Sequence, residues 1–363
     1  ITYLPEGDPV DSINRTYGQL KQHAYKIASS IRLNTSAGDR VLLLLPPGPD
    51  YFAAVWGCLL SGVVVVPVQI PQQPALVDFV NKISADCSPA LLLTQEALLP
   101  ALQGVIEIDP DNGRRLTLEA ALNPARVCKI HEPESQHMAL LQYTSGSTGT
   151  PKGVIASHGN LDACIDLMLE VAAIDKNSTV VSWLPLFHNM GFLSFGLLPL
   201  SVGAHLVLIP TDKFMVNPAR WFIAMSHYRA THSGAPNIGY ETCLNFLPDG
   251  LLDQLDLSNW DVAAIGSEPL KSNLIDQFSE RFARTGFTAQ TFLTTYGFSE
   301  ATVFCSGADH DREVPRIDVD KASFEAGLIA ASTSGQVKTL VSVGTARPNV
   351  AIVNPDTGKP CAD

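Results

Sequence analysis

The chain has 363 residues, 46% hydrophobic and 17% charged, with a formal net charge of −12; it is too apolar for disorder and long enough for two domains or one large one. The acidic balance, without any run of five or six like charges, excludes nucleic acid or an anionic membrane surface as the main partner. Seven cysteines, odd in number and never spaced as CxxC, speak against a disulfide frame or a zinc site and fit a reducing, cytoplasmic compartment.

The first residues, ITYLPEGDPVDS, show no basic segment followed by an apolar core, so no signal peptide is expected there. Next, VLLLL (41–45), DYFAAVWGCLLSG, VVVVPV (63–68), ALVDFVNKISADC and ALLLT (90–94) alternate short β-rich runs with longer amphipathic ones, the pattern of a parallel sheet covered on both faces. MALLQY predicts a strand leading into YTSGSTGTPKG (143–153), and GVIASHGNL a strand running into a helix. The window 191–210, GFLSFGLLPLSVGAHLVLIP, lacks formal charge and has the length of a membrane span. Pro199, Gly203 and His205 punctuate it, and AHLVLI reads as a buried strand after a helix, so no stable membrane insertion is expected.

A second alternation follows in HLVLIP, ARWFIAMSHYRA, THSGAP, VAAIGSEP, LKSNLIDQFSERFAR and TFLTTYG. The predicted fold is therefore α/β: two packed α/β lobes with mainly parallel sheets covered by helices, residues 1–180 and 181–340, dividing near 175–190. The last stretch, 341–363, has short strands and turn residues and reads as the start of a small β-rich subdomain cut off by the chain's end.

A loop of Gly, Ser and Thr turns backbone N–H groups and hydroxyls toward one point, and Lys152 adds a positive charge at its far end, as a polyphosphate requires. The alternative is a solvated linker, against which stand Pro151 and Lys152 between two apolar strands. The stretch is not the Walker pattern GxxxxGK[ST], because Pro151 precedes the lysine. No GxSxG elbow occurs, which disfavours a Ser-His-Asp hydrolase.

YTSGSTGTPKG resembles the phosphate-binding signature of the adenylate-forming enzymes, the superfamily of acyl-CoA synthetases, peptide-synthetase adenylation domains and luciferases. WLPLFHNMGF (183–192), GSEPL (266–270) and TTYGFSEAT (294–302) resemble, in the same order, its aromatic/histidine segment, its adenine-contacting loop and its metal-binding glutamate segment. The stretch at about 303–340 is similar to the insertion of the fatty acyl-AMP ligases, the branch that activates fatty acids and passes them to an acyl carrier protein. In that branch the insertion restrains the small C-terminal domain and disfavours transfer to free CoA; the plainer alternative is a surface loop without effect on chemistry. Two departures stand out, Asn189 where the branch often has aspartate and Ser299 where it often has alanine.

The resemblance implies ATP and Mg²⁺ as cofactors and a fatty acid and an acyl carrier protein as partners. It assigns Thr144, Ser145, Gly146, Ser147, Thr148, Gly149 and Lys152 to phosphates and Glu300 to the metal. Gly266, Ser267, Glu268, Pro269, Thr295, Tyr296 and Gly297 go to adenine and sugar, Tyr296 having a buried structural role as its alternative. His188 goes to the reacting carboxylate, with Gly234, Ala235, Pro236 and Asn237 as walls beside it; the apolar run 191–200 lines an acyl tunnel or is ordinary core. His188, Lys152 and Glu300 are the catalytic candidates, and the superfamily's C-terminal domain and its adenylation lysine are expected beyond Asp363, leaving this chain poorly active alone. An acyl-CoA synthetase and a non-catalytic nucleotide- or lipid-binding relic remain the alternatives.

Overall fold

Runs of Val and Leu with no polar alternation are stable only as strands buried on both faces. In the computed structural model, which describes residues 1–107, 113–144, 150–308, 312–331, 336–346 and 350–361, three such runs become the parallel neighbours Leu91–Thr94, Arg40–Leu44 and Val64–Pro67. Arg114–Thr117 extends this sheet on one side, and Met138–Thr144 then Lys152–Ser157 on the other, giving six strands among the described residues. The last two are antiparallel, with Thr144 opposite Lys152. Ser145, Gly146, Ser147, Thr148 and Gly149 lie outside the described residues.

The second sheet has nine strands among the described residues. Its centre is parallel, in the order Phe292–Tyr296, Val262–Ile265, His232–Ala235, Thr179–Ser182 and His205–Leu208. Beneath it the buried rings of Trp221, Tyr240, Phe278, Phe282 and Phe292 pack together, Phe278 stacked on Phe282 at 4.0 Å between centroids. The helix His158–Ala172 starts from a reciprocal cap in which Ser157 and Asn160 bond each other's backbone N–H groups, fixing where it crosses the sheet.

Two placements differ from the sequence reading. Thr2–Tyr3 and Ile13–Asn14, grouped by sequence with the first lobe, join the second sheet beside His205–Leu208, because their partner lies two hundred residues away and no local pattern encodes it. Thr345–Ala346, expected to begin a separate unit, pairs with Ser306–Gly307 on the other edge of that sheet. Between them Arg316–Asp320 and Val337–Val341 form a two-stranded antiparallel sheet, pinned to the helix Ser272–Phe282 by two parallel 2.7 Å bonds from Arg316 to Asp276.

The uncharged window folds as the helical segments Met190–Leu197 and Leu198–Ser201 and the sheet strand His205–Leu208. Among the described residues no helix is long and apolar enough to cross a membrane. All seven cysteines are free thiols.

Candidate active site

Residues 183–192 run between the two sheets, and each of three neighbours holds them. Tyr51 Oη donates to the Leu186 carbonyl at 3.0 Å and Gln142 Nε2 to the Phe187 carbonyl at 3.1 Å. Asn189 Nδ2 donates to Ser299 Oγ at 2.8 Å. The chain then enters a π-helical stretch, Met190–Leu197, in which the Leu198 N–H reaches back five residues to Leu193. Such wider turns recur at functional sites because they re-aim side chains that an α-helix would turn elsewhere. Here Ser194, Phe195 and Leu198 face a cavity of about 700 Å³.

The cavity has two chemically different ends. Its mouth, at the carboxyl ends of the parallel strands, gathers Thr144, His188, Ser267, Thr295, Tyr296 and Glu300. Its interior is walled by Met168, Val171 and Ala172 of the helix His158–Ala172 on one side and by Val262, Ala264 and Leu293 of the sheet on the other. A polar, solvent-open mouth leading to an apolar interior suits an amphiphile with a charged head.

The Met190 N–H donates to His188 Nδ1 at 3.3 Å, which makes Nδ1 the acceptor and leaves the proton on Nε2. Although the ring is exposed on the cavity side, the surrounding walls desolvate it and lower its pKa below the usual imidazole value. It therefore stands at the mouth as a neutral donor. Tyr296 is 50% exposed, with Phe298 5.9 Å away, so its ring is an open face and not the buried structural residue of the alternative reading.

Two glycines let the mouth loops close up. A Cβ on Gly266 would strike Thr295, and one on Gly297 would overlap the Val303 carbonyl. Ser267 between them has φ +69, a left-handed conformation costly for a residue with a side chain. Strain of this kind is held only where the surroundings over-determine it.

The other sequence candidates are placed as follows. Lys152 is exposed on its strand outside the cavity wall, and the helical turn Ser299–Ala301 carrying Glu300 lies against that strand. Glu268 and Pro269 are exposed beside the cavity without lining it. Gly234, Ala235, Pro236 and Asn237 are not in the wall either. Gly234 lies directly behind Phe195 and Ala264, which are, and Asn237 Nδ2 donates to the Pro269 carbonyl at 2.8 Å. Of the apolar run 191–200 only Ser194, Phe195 and Leu198 reach the cavity; the rest is core.

Sequence reasoning missed Gln142, the helix residues Met168, Val171 and Ala172, and the strand residues His232, Val262, Ala264 and Leu293. Periodicity carries the signal for them: 168, 171 and 172 share one helical face, and 262 and 264 one sheet face.

The mouth fits a nucleotide with Mg²⁺. Hydroxyls of Thr144, Ser267 and Thr295 line it, the last two donating at long range to Met190 Sδ at 3.3 Å and to the Ile265 carbonyl at 3.4 Å, bonds a ligand has to replace. The Tyr296 face is open to a flat ring, and Glu300 is an exposed carboxylate with no ion-pair partner among the described residues. Mg²⁺ takes one or two carboxylates and fills its octahedron with phosphate oxygens and water, so one such residue suffices.

Together the two sheets and the divided cavity match the N-terminal domain fold of the adenylate-forming enzymes. The chain belongs to the AMP-binding enzyme family, which it matches over residues 8–363. It is 30% identical over 99% of its length to the medium-chain-fatty-acid–[acyl-carrier-protein] ligase JamA of Moorena producens, covering 63% of that protein. It is also 30% identical, over 97% of its length and 62% of the relative's, to the long-chain-fatty-acid–AMP ligase FadD28 of Mycobacterium tuberculosis. A fatty acyl-adenylate ligase from L. pneumophila, solved in complex with acyl adenylate and pyrophosphate, superposes with a TM-score of 0.92 at 31% identity, over 99% of this chain and 63% of that one. The chain thus spans under two thirds of the length of these relatives.

Proposed function

We propose that the protein activates a fatty acid with ATP and hands the acyl group to the phosphopantetheine thiol of an acyl carrier protein. The observation that carries this reading is the single cavity in which a polar mouth opens directly into an apolar interior. The relatives' names add support, one acting on an acyl-carrier protein and another being a fatty-acid–AMP ligase.

In the first step a carboxylate oxygen bonds to the α-phosphorus of ATP as the bond to the bridging oxygen breaks, giving acyl-AMP and pyrophosphate. The substrate supplies the nucleophile, so the protein's work is to bring two anions together and to stabilise charge. His188, a neutral donor whose pKa is lowered by desolvation, hydrogen-bonds the carboxylate through Nε2. Thr144 and Lys152, opposite each other on adjacent strands, bracket the phosphates, and Lys152 offsets their charge. Tyr296 stacks on adenine, with Ser267 and Thr295 beside it. Glu300 would hold Mg²⁺, which when bound would supply charge neutralisation for the phosphate oxygens. In the second step the thiolate attacks the acyl carbonyl, and AMP leaves.

The test is a thermal-shift titration of this chain with a non-hydrolysable acyl-adenylate, beside ATP, CoA and free fatty acid. A ligand at a hundred times its dissociation constant adds about 2.7 kcal/mol of stability. Strong stabilisation by the adenylate and none by CoA is the expected result, and an adenylate that leaves the melting temperature unchanged sinks the reading. Transfer of the labelled acyl group to a phosphopantetheinylated carrier, measured against transfer to CoA, then decides the acceptor.

A further inference from the structure

We infer that the cavity takes acyl chains of medium length with an apolar tail, about eight to twelve carbons, and that His232 is the wall that ends it. This deepens the proposed function and rests on it. Val180, His232 and Val262 are Cα partners in one row across three adjacent strands, all line the cavity, and none is more than 5% exposed. That row is the deep end. His232 closes it against the opposite wall by bonding the Ala172 carbonyl at 2.7 Å. A carbonyl only accepts, so Nε2 carries the ring proton and Nδ1 accepts from Thr231 Oγ1 at 2.7 Å. The ring is held at both nitrogens and cannot swing aside without breaking two hydrogen bonds.

The length follows from the strands. From Val262 to Gly266, where the mouth begins, the chain advances four residues, about 13 Å at parallel-strand rise. An extended chain covers three bonds in about 3.6 Å, so this distance holds about eleven bonds. Chemistry along the way selects against a polar tail. The interior walls are Met168, Val171, Phe195, Ala264, Leu293 and Phe304, and the Ser194 hydroxyl is engaged with Met168 Sδ at 3.4 Å. A hydroxyl or carboxyl at the far end of the chain meets no open partner among these residues and is desolvated for nothing.

The experiment measures dissociation constants of this chain for non-hydrolysable acyl-sulfamoyl adenosines with saturated tails of six to sixteen carbons. Each added methylene tightens binding about fourfold until the tail reaches the wall. The expected profile breaks near ten to twelve carbons and falls about tenfold or more by sixteen. His232→Ala moves the break to longer tails. Ala264→Leu, which fills the middle of the tunnel and does not disturb the His232 bonds, moves it to shorter ones and carries the test if His232→Ala does not fold. Affinity that climbs unbroken to sixteen carbons, or a break that Ala264→Leu leaves in place, overturns the inference while the adenylation reading stands. Failure of every tail length to bind overturns both.

Discussion

Asn189 and Ser299, one hundred and ten residues apart in the chain, are joined by a 2.8 Å hydrogen bond between the segment that carries His188 and the one that carries Glu300. Both positions stand out in the sequence as departures from what the branch it resembles often carries. The structure shows them as one feature, an amide donor and its hydroxyl acceptor. Asn189 is only 7% exposed, and its Oδ1 has no partner among the described residues, so the bond to Ser299 is what offsets the burial of this amide.

Ser299→Ala therefore leaves both polar atoms of Asn189 buried and unpaired, and is expected to cost about 1–3 kcal/mol. Asn189→Ala in the same chain removes the stranded amide, so the double variant recovers part of that loss. A double-mutant cycle by urea unfolding reads a coupling of about 0.5–1.5 kcal/mol. Strict additivity would show that the bond does not form in solution.

Glu300→Gln keeps the shape of the side chain and deletes its charge. Calorimetric titration of ATP is expected to find tighter binding with Mg²⁺ in the parent chain and no Mg²⁺ dependence in the variant. Lys152→Ala weakens ATP binding about tenfold to a hundredfold, as loss of a charge-assisted hydrogen bond does. Because Lys152 is exposed, that difference shrinks with added salt. If both variants bind Mg·ATP as the parent does, the phosphate and metal assignments fail.

Local chemistry made part of this legible in sequence. The strand Val64–Pro67 and the helix Pro49–Ser61 follow from apolar runs and from a proline at the helix start, and the mouth residues His188, Tyr296 and Glu300 follow from short motifs whose spacing survives folding. What sequence did not carry is pairing at long range. Nothing near Thr2 names Val207 as its neighbour, and nothing near Val180 names His232 and Val262 as the row that closes the cavity. The wall candidates Gly234 to Asn237 lie one layer behind the wall for a related reason: Gly234 shares the sheet face of His232 but is covered by Phe195 and Ala264, and nothing local in the sequence names those residues as its cover.

His188 is a measurable pH reporter. Desolvation lowers its folded-state pKa and that of His158 below the usual value. The unfolded chain then binds more protons as pH falls below about 6.5. Stability is expected to be fully present above that pH and to decline as pH drops through the window between unfolded and folded values. NMR titration of the His188 ring should give a midpoint below 6.5, and His188→Asn should flatten the slope of stability against pH. A midpoint at or above 6.5 would mean that the cavity walls do not desolvate the ring.

The mouth loops store strain, and its release is open to a paired test. Ser267 holds φ +69, which costs about 1–2 kcal/mol for a residue with a Cβ, while glycine gives back about 0.5–1 kcal/mol in chain entropy. Ser267→Gly is thus expected to raise stability by up to about 1 kcal/mol and to weaken adenylate binding through the lost hydroxyl. Gly297→Ala goes the other way: its Cβ overlaps the Val303 carbonyl, so the loop carrying Tyr296 must move at a cost of about 1–3 kcal/mol. Urea unfolding and adenylate affinity measured on both variants separate the two effects. A Ser267→Gly chain less stable than its parent would mean that the left-handed turn carries no strain and that the serine is kept for packing alone.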